Sequence, residues 1–218
     1  MLNNDIYNTF TFSEIYKKKL ISFFKKHCTV ENGGDKIFDG TYNDLLHVPK
    51  ELAELIFFLK KYEKKNNLKI KSFLEIGFSH GIFNTIIDKF FKLENNIAVD
   101  CLGAHINGRV LTANLRFKNL ILFCSNSEEE KTLKHIKNIC KFDLIFIDAN
   151  HEYEYVKKDF KNYKQFIKKN GLIIFHDINV EKSGSKKFWN EIKKIHKNYK
   201  EIIINKQKFT YGYGIIKF

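Results

Sequence analysis

Residues suited to ligand chemistry stand directly after short apolar runs of the chain. Gly77 and Gly81 follow one such run, and Asp100 ends the next. Glycines let a backbone approach a ligand, the helix that follows offers free N–H groups, and a carboxylate accepts hydrogen bonds from ribose hydroxyls. Residues 73–100 therefore predict a strand, a glycine turn, a helix and a second strand that together bind a nucleoside.

The glycine spacing does not fit a dinucleotide site. A dinucleotide fingerprint is G-x-G-x-x-G. Counting from Gly77 places Ser79 and Ile82 where the second and third glycines belong. The turn must therefore serve another kind of nucleoside ligand.

The elements that would position these residues alternate along the chain. From residue 73 onward, short apolar strands alternate with helical segments, which predicts a parallel sheet with helices on both faces. Residues 12–27 and 49–65 have helical spacing, with Pro49 in the first turn of the second helix. Strands are predicted near 73–77, 96–100, 120–124, 143–148, 171–176, 201–205 and 211–217, and further helices at 153–168 and 185–197.

Polar residues at the strand ends are the site candidates, because ligands bind outside the carboxyl ends of an open parallel sheet. For Ser125 and Asn126, which follow the third strand, the alternative is a helix cap ahead of Glu128. The strand-end residues are Ser79, His80 and Gly81, then Asp100, then Ser125 and Asn126, then Asp148, Asn150 and His151, and finally His176, Asp177 and Asn179.

Composition favours one reduced, cytoplasmic α/β protein. The chain has 218 residues, 44% of them hydrophobic, which is enough for a sizeable core. Its four cysteines form no C-x-x-C pair, so neither a disulfide framework nor a zinc finger is indicated. No apolar run approaches the roughly 20 residues of a membrane span, and no signal peptide is expected.

The net charge of +13 is weaker evidence for nucleic-acid binding than its magnitude suggests. Only two of the 38 basic residues are arginines, Arg109 and Arg116, whereas base and phosphate recognition favours the arginine fork. We therefore do not expect a nucleic-acid partner. The lysines are solvated helix surface, or they attract an anionic small molecule.

Three segments resemble class I S-adenosylmethionine-dependent methyltransferases. Glu75 followed by Gly77 and Gly81 resembles their motif I. Residues 142–178 resemble the strand-four and strand-five region of the branch that includes small-molecule and sugar O-methyltransferases. The last two strands, which lack a helix between them, are similar to the hairpin that ends a methyltransferase sheet.

The resemblance implies a fold and a division of the chain. The fold is a doubly wound, mostly parallel, Rossmann-like α/β sheet of seven strands with an antiparallel C-terminal hairpin. Residues 70–218 would form the S-adenosylmethionine-binding domain. Residues 1–69 would form an N-terminal helical extension or lid packed on it, with Phe38, Tyr42 and His47 as candidates to line the acceptor pocket.

The resemblance also implies cofactor contacts. The motif I loop would hold the methionine end of S-adenosylmethionine, the strand-two carboxylate the ribose, and the residues after strand three the adenine. His80 would close the pocket, or it is a loop residue without a role. The expected cofactor-binding residues are Glu75, Gly77, Ser79, His80, Gly81, Asp100, Ser125, Asn126 and Asp148.

The segment Asp148-x-x-His151 suggests the chemistry. Methyl transfer from a sulfonium is an in-line displacement, and a histidine of near-neutral pKa suits removal of the acceptor proton. The catalytic candidates are His151 as base, with Asp148 and His176. In related cation-dependent sugar O-methyltransferases, a strand-four aspartate and an acidic pair after strand five hold the metal. Here His176 replaces one carboxylate of that pair, so a magnesium ion at Asp148 and Asp177 is one alternative and a metal-free site is the other.

The predicted function is a cytoplasmic methyltransferase that modifies a hydroxyl of a small polar acceptor. The acceptor would be a sugar, or an anionic phosphorylated or nucleotide-linked precursor of a surface polysaccharide or natural product. The alternatives are an RNA or DNA methyltransferase and an inactive binding protein with this fold. Amino-directed nucleic-acid enzymes commonly carry a proline pair after strand four, whereas Pro49 is the only proline here. The oligomeric state stays open, a homo-oligomer included.

Overall fold

Strands of one central sheet organise the part of the chain that the computed structural model describes, which is residues 5–27, 34–35, 43–44, 47–79, 81–101, 119–204 and 210–218. Two short strands, β1 (Gly34–Asp35) and β2 (Asn43–Asp44), pair with each other outside it. The sheet consists of β3 (Ser72–Ile76), β4 (Asn95–Asp100), β5 (Leu120–Cys124), β6 (Phe142–Ile147), β7 (Ile167–Phe175), β8 (Tyr199–Ile202) and β9 (Tyr213–Lys217).

The strand order is β5-β4-β3-β6-β7-β9-β8. Neighbours from β5 to β7 are parallel, while β9 runs antiparallel to both β7 and β8. The predicted seven-stranded, mostly parallel sheet with an antiparallel C-terminal hairpin is confirmed. Since β3 lies between β4 and β6, the strand order reverses beside it, and a crevice forms there at the carboxyl ends of the strands.

Helices cover the two faces of the sheet. Side chains alternate along each buried strand, so that Leu144 and Phe146 of β6 join one hydrophobic cluster while Ile145 and Ile147 join the other. The helices are α1 (Asp5–Asn8), α2 (Glu14–His27), α3 (Pro49–Asn66), α4 (Ile82–Phe91), α5 (Glu130–Lys137), α6 (Tyr153–Tyr163) and α7 (Gly184–Ile195).

The N-terminal helices share a core with the sheet. Fully buried residues of α2 and α3, such as Leu20 and Leu52, belong to the same hydrophobic cluster as Phe73 of β3 and Ile86 of α4. Pro49 stands at the start of α3, where its missing N–H costs nothing. Among the described residues, no helix combines the length and the apolar character that crossing a bilayer requires.

The helix predicted over 153–168 is shorter than expected. It ends at Tyr163, a 3-10 turn covers residues 164–166, and Ile167 already belongs to β7. Ile167 pairs with Phe142, and the Lys168 ammonium lies 2.9 Å from Oδ1 of Asp143 at the start of β6. Pairing with the neighbouring strand outweighs the local helical pattern.

Candidate active site

A cavity of about 750 Å³ opens at the carboxyl ends of β3, β4, β5, β6 and β7. The topology accounts for its position, because parallel strands bring their polar C-terminal residues to one edge. The strand-end candidates that line it are Glu75, Gly77, Ser79, Asp100, Ser125, Asn126, Asp148, Asn150, His151, His176 and Asp177. His80, Phe38 and Tyr42 lie outside the described residues.

The two glycines of the turn after β3 meet protein atoms. Gly77 has φ +94°, and a Cβ there would lie 2.1 Å from the Asp148 carbonyl oxygen. Gly81 has φ +72°, and a Cβ there would lie 2.3 Å from the Phe78 ring. Both positions need glycine so that the turn can fold. Of the two, only Gly77 lines the cavity.

Asp100 ties the end of β4 to this turn. Its Oδ2 accepts hydrogen bonds from the backbone N–H groups of Phe78 and Ser79, each at 2.8 Å. The carboxylate therefore fixes the loop that follows β3 and also faces the cavity.

Glu75 is a buried carboxyl at the floor of the site. It is 1% exposed, and Oε2 has no hydrogen-bond partner within the described part of the chain. Burial raises the pKa of Glu75 well above its usual range, although a hydrogen bond from Asn84 opposes the rise. The site thus has an oxygen that a ligand donor could satisfy.

The residues that follow β5 form the wall of the cavity that is farthest from β7. The Ser125 hydroxyl lies 2.6 Å from that of Thr132, and the Asn126 N–H donates to Oε1 of Glu129 at 3.1 Å. Glu129 occupies the cap position of α5, with no side-chain cap bond. The cap alternative for Ser125 and Asn126 therefore does not describe their contacts.

Two histidines and two aspartates form a connected cluster at the ends of β6 and β7. Nδ1 of His176 lies 3.2 Å from Oδ2 of Asp148 and 3.3 Å from Oδ1 of Asp177. The other oxygen of Asp177 lies 3.3 Å from Nδ1 of His151. His176 is buried, whereas the His151 side chain is 52% exposed. Asp177 thus orients an accessible imidazole at the cavity.

Within the cluster, Asp148 and His176 stabilise each other's charged forms. Burial would lower the pKa of His176, but Asp148 and Asp177 raise it to about 9. Burial alone would raise the pKa of Asp148, and the His176 ring instead lowers it below its usual range. For Asp177 burial prevails and the pKa is raised.

A cation could also sit here. One ligand atom each from Asp148, His151 and Asp177 lies within 4.8 Å of the others, a donor set of two carboxylates and one imidazole. These three residues fit an open divalent-cation site, with magnesium less favoured than softer ions by the imidazole. His176 competes with such an ion because its Nδ1 contacts both carboxylates.

His47 reaches the same end of the cavity from the segment before α3. It is 6% exposed, its Nδ1 lies 2.7 Å from the Tyr213 hydroxyl, and its ring centroid lies 4.4 Å from that of His176. Burial, and then the positive charge of His176, lowers the pKa of His47 well below its usual range. Both effects favour the neutral form of the His47 imidazole.

Sequence reasoning missed two tyrosines that line the cavity, Tyr155 and Tyr211. Tyr155 lies in the first turn of α6, four residues after His151, and this spacing could have indicated it. Tyr211 precedes β9 by two residues and is distant in sequence from every strand end named above. Its position depends on how the β8–β9 connection folds back.

A family comparison decides what kind of domain this is. Residues 74–178 match a family model described as a methyltransferase domain. The described residues have the class I S-adenosylmethionine-dependent methyltransferase fold, and residues 74–178 carry the match to the methyltransferase-domain family. The match runs from β3 through the end of β7, and so contains the glycine turn and the His–Asp cluster of the methyltransferase.

Relatives of the methyltransferase domain are distant. An uncharacterized protein of Acanthamoeba polyphaga mimivirus is 23% identical over 167 residues, which are 74% of this chain and 69% of that protein. A putative caffeoyl-CoA O-methyltransferase from Staphylococcus aureus is 19% identical, with a TM-score of 0.54 over 75% of this chain and 82% of that chain.

Two further solved structures share the fold. The N-methyltransferase NodS from Bradyrhizobium japonicum, in complex with S-adenosyl-L-homocysteine, is 14% identical, with a TM-score of 0.53 over 77% of this chain and 87% of that chain. Spermidine synthase from Thermotoga maritima is 14% identical, with a TM-score of 0.52 over 68% of this chain. The chain spans about half of the length of spermidine synthase, 53%.

Proposed function

We propose that this protein transfers the methyl group of S-adenosylmethionine to a hydroxyl group of a small polar acceptor. The observation that carries the proposal is the pairing of His151 with Asp177 at a cavity whose other side holds Glu75 and Asp100. A hydroxyl must lose its proton during methylation, and an accessible imidazole held by a carboxylate is suited to accept it. A neutral amine acceptor would not need this pair.

The cofactor would lie across the ends of β3, β4 and β5. The unpaired oxygen of Glu75 suits a ligand ammonium, Asp100 suits ribose hydroxyls, and Ser125 and Asn126 lie where the adenine would follow. S-adenosyl-L-homocysteine is the ligand named for the related NodS structure. Methyltransferase folds bind such nucleosides at the same switch point of the sheet.

The reaction is a single displacement. The acceptor oxygen attacks the sulfonium methyl, an O–CH₃ bond forms, and the S–CH₃ bond breaks with its electrons left on sulfur. His151 takes the hydroxyl proton at Nε2 while Asp177 stabilises the resulting imidazolium. The products are a methyl ether and S-adenosylhomocysteine. A divalent cation at Asp148, His151 and Asp177 would bind the acceptor oxygen and take His151 away from the role of base.

The acceptor proposed is a sugar, or a phosphorylated or nucleotide-linked metabolite. The net charge of +13 would attract an anionic acceptor, and one structural relative is named as an O-methyltransferase. The proposal places the protein in the cytoplasm, with residues 1–69 as an extension that completes the acceptor end. His47 is the described contribution of that extension to the cavity.

Calorimetry and methyl transfer test the proposal together. S-adenosylmethionine and S-adenosylhomocysteine are titrated into the protein with NADH as control, and transfer of a labelled methyl group is then measured to catechol, UDP-glucose and putrescine. We expect binding of the sulfur compounds alone and transfer to a hydroxyl acceptor. Absence of binding, absence of transfer to either hydroxyl compound, or transfer to putrescine alone would reject the proposal.

The His151→Ala variant tests the base. We expect methyl transfer to fall by about 100- to 10,000-fold while S-adenosylhomocysteine binding is retained. The control is His135→Ala, which removes an exposed histidine of α5 outside the cavity and should leave transfer unchanged. Undiminished transfer by His151→Ala, or transfer by the unaltered protein that a chelator abolishes, would remove His151 from the role of base.

A further inference from the structure

Glu51 is a buried carboxylate that the proposed chemistry does not use. It lies in the first turn of α3 and is 0% exposed. Its Oε2 accepts hydrogen bonds from the backbone N–H groups of Tyr211 at 3.2 Å and Gly212 at 3.0 Å. These residues are about as far from Glu51 in sequence as the chain allows, at separations of 160 and 161.

The second oxygen of Glu51 binds two further residues, Ile204 after β8 and Thr210 before Tyr211. Oε1 accepts the backbone N–H of Ile204 at 3.1 Å and the hydroxyl of Thr210. One carboxylate therefore binds both ends of the β8–β9 connection through four donors. A buried carboxylate needs such partners, and here they come from the described residues on both sides of the connection.

The consequence falls on Tyr211, whose backbone is fixed on both sides. Its N–H donates to Glu51, and its carbonyl accepts the N–H of Asn179 at 2.8 Å. Gly212 follows with φ +75°, a backbone turn that favours glycine. The Tyr211 ring then meets the His176 ring edge to face, with centroids 5.6 Å apart, and lines the cavity.

The position of Tyr211 within the cavity gives this anchoring a functional meaning. The strand order places β4 and β5 on one side of β3 and places β6 and β7 on the other. Asp100 and Ser125 end the first pair, and His176 and Asp177 follow the second. Tyr211 therefore lies at the end away from the proposed adenosine site, against the His176 ring that contacts Asp177.

We propose that Glu51 is a positioning residue that sets Tyr211 against the bound acceptor, so that α3 controls which acceptors the site takes without touching the cofactor. This inference rests on the proposed function, which puts the acceptor beside His151 and Asp177. Tyr211 is the specificity-determining side chain, and Glu51 acts through it.

The chain offers a matched control on the same helix. Glu63 is also a buried carboxylate of α3, 6% exposed, and its Oε1 accepts the backbone N–H of Ile70 at 2.8 Å. It therefore anchors the connection from α3 to β3, and it does not line the cavity. Glu51→Ala and Glu63→Ala remove the same groups from the same helix, and only the first reaches Tyr211.

Hydrogen exchange and kinetics test the inference on the intact protein with S-adenosylhomocysteine or S-adenosylmethionine. In Glu51→Ala we expect exchange of the Tyr211 and Gly212 amides to accelerate by about 100-fold or more, with no such change in Glu63→Ala. For catechol or UDP-glucose, whichever is methylated, KM should rise about tenfold in Glu51→Ala and in Tyr211→Ala. The kcat and the Kd for S-adenosylhomocysteine should stay within about threefold.

Glu51→Gln keeps the test decisive if the alanine variant fails to fold. Its remaining carbonyl oxygen can still accept from Tyr211 and Gly212, so KM should lie between those of the parent and of Tyr211→Ala. Unchanged amide exchange, or an unchanged KM for the acceptor in an active Glu51 variant, would overturn this inference alone. An unaltered protein that binds S-adenosylhomocysteine and methylates neither hydroxyl compound would instead overturn the proposed function.

Discussion

Asp159 of α6 is a buried carboxyl that binds its proton more tightly in the folded state than in the unfolded chain. It is 2% exposed, and its Oδ1 has no partner within the described chain. Burial raises the pKa of Asp159 from the ordinary 3.8 to about 6, and the Glu128 carboxylate adds to the rise. A carboxyl whose pKa is raised by folding stabilises the folded state at pH values below its unfolded pKa. This stabilisation is lost as the pH rises through the folded-state pKa.

The variant Asp159→Asn should therefore gain stability relative to the parent as the pH rises. The rise in pKa corresponds to a relative gain in the free energy of unfolding of about 2 kcal/mol between pH 4.5 and pH 8. Urea unfolding at the two pH values measures it. A variant whose free energy of unfolding follows that of the parent at both pH values would contradict the assignment.

Asp143 supplies a control of opposite sign. Burial opposes its ionisation, but hydrogen bonds from Lys168, Lys71 and Ser72 together lower the pKa of Asp143 below its usual range. The stabilisation from ionised Asp143 is fully present above its unfolded pKa and is lost as the pH falls through the folded-state pKa. Asp143→Asn should therefore lose stability relative to the parent at pH 8 and lose less of it at pH 3.

At the scale of elements, a pair of amides joins α4 to β4. The side chains of Asn84 and Asn96 are 0% exposed and exchange two hydrogen bonds, of 3.0 Å and 2.6 Å. Asn84 also donates to Glu75 at the floor of the cavity. The amide pair thus fixes α4, the helix after the glycine turn, against β4, the strand that ends in Asp100.

Replacing either asparagine with alanine leaves the other amide buried without its amide partner. We expect each single variant to lose about 1 to 3 kcal/mol of unfolding free energy. The double variant should lose less than the sum, by about 1 kcal/mol or more. Thermal or urea unfolding of all four proteins closes the cycle. Asn119→Ala, which removes an exposed amide that donates to the Leu93 carbonyl at 2.7 Å, should cost less than either. Additive losses would show that the pair is not coupled.

The sequence predicted the elements where burial alone decides them. Apolar runs such as residues 142–147 and 171–176 have few alternatives to a central strand, and their order with the helices predicts a parallel sheet. Because parallel strands end at one edge, Asp100, Asp148, His151 and Asp177 could be expected around one cavity. The end of α6 could not be predicted, since Ile167 and Lys168 follow a helical pattern and leave it only for contacts with β6.

Contacts between distant parts of the chain escaped prediction altogether. Nothing in the residues near Glu51 indicates that its carboxylate binds the backbone of Tyr211 and Gly212. In sequence, a glutamate in the first turn of a helix is explained by the helix dipole alone. The role of such a residue depends on where a connection folds, and composition carries no signal of that.

At the scale of the whole molecule, residues 1–69 and 70–218 share one hydrophobic core. Phe73 and Ile86 would lose the cover of α2 and α3 in a chain that begins at residue 70, and His47 and Glu51 would be absent. We expect that shortened chain to aggregate and not to bind S-adenosylhomocysteine. Co-expression of residues 1–69 should restore soluble protein. A shortened chain that binds with unchanged Kd by calorimetry would make the extension dispensable.

The bond between His47 and Tyr213 joins residues separated by 166 positions, and Glu51 reaches Gly212 across 161. At the usual pace of translation, roughly 8 to 30 s separate the synthesis of the two sides. Throughout that interval the nascent chain carries α3 without the Tyr211 and Gly212 amides that bind its Glu51 carboxylate. A ribosome stalled before residue 210 therefore holds a polypeptide that contains every proposed cofactor contact and still has an unfinished wall beside the base.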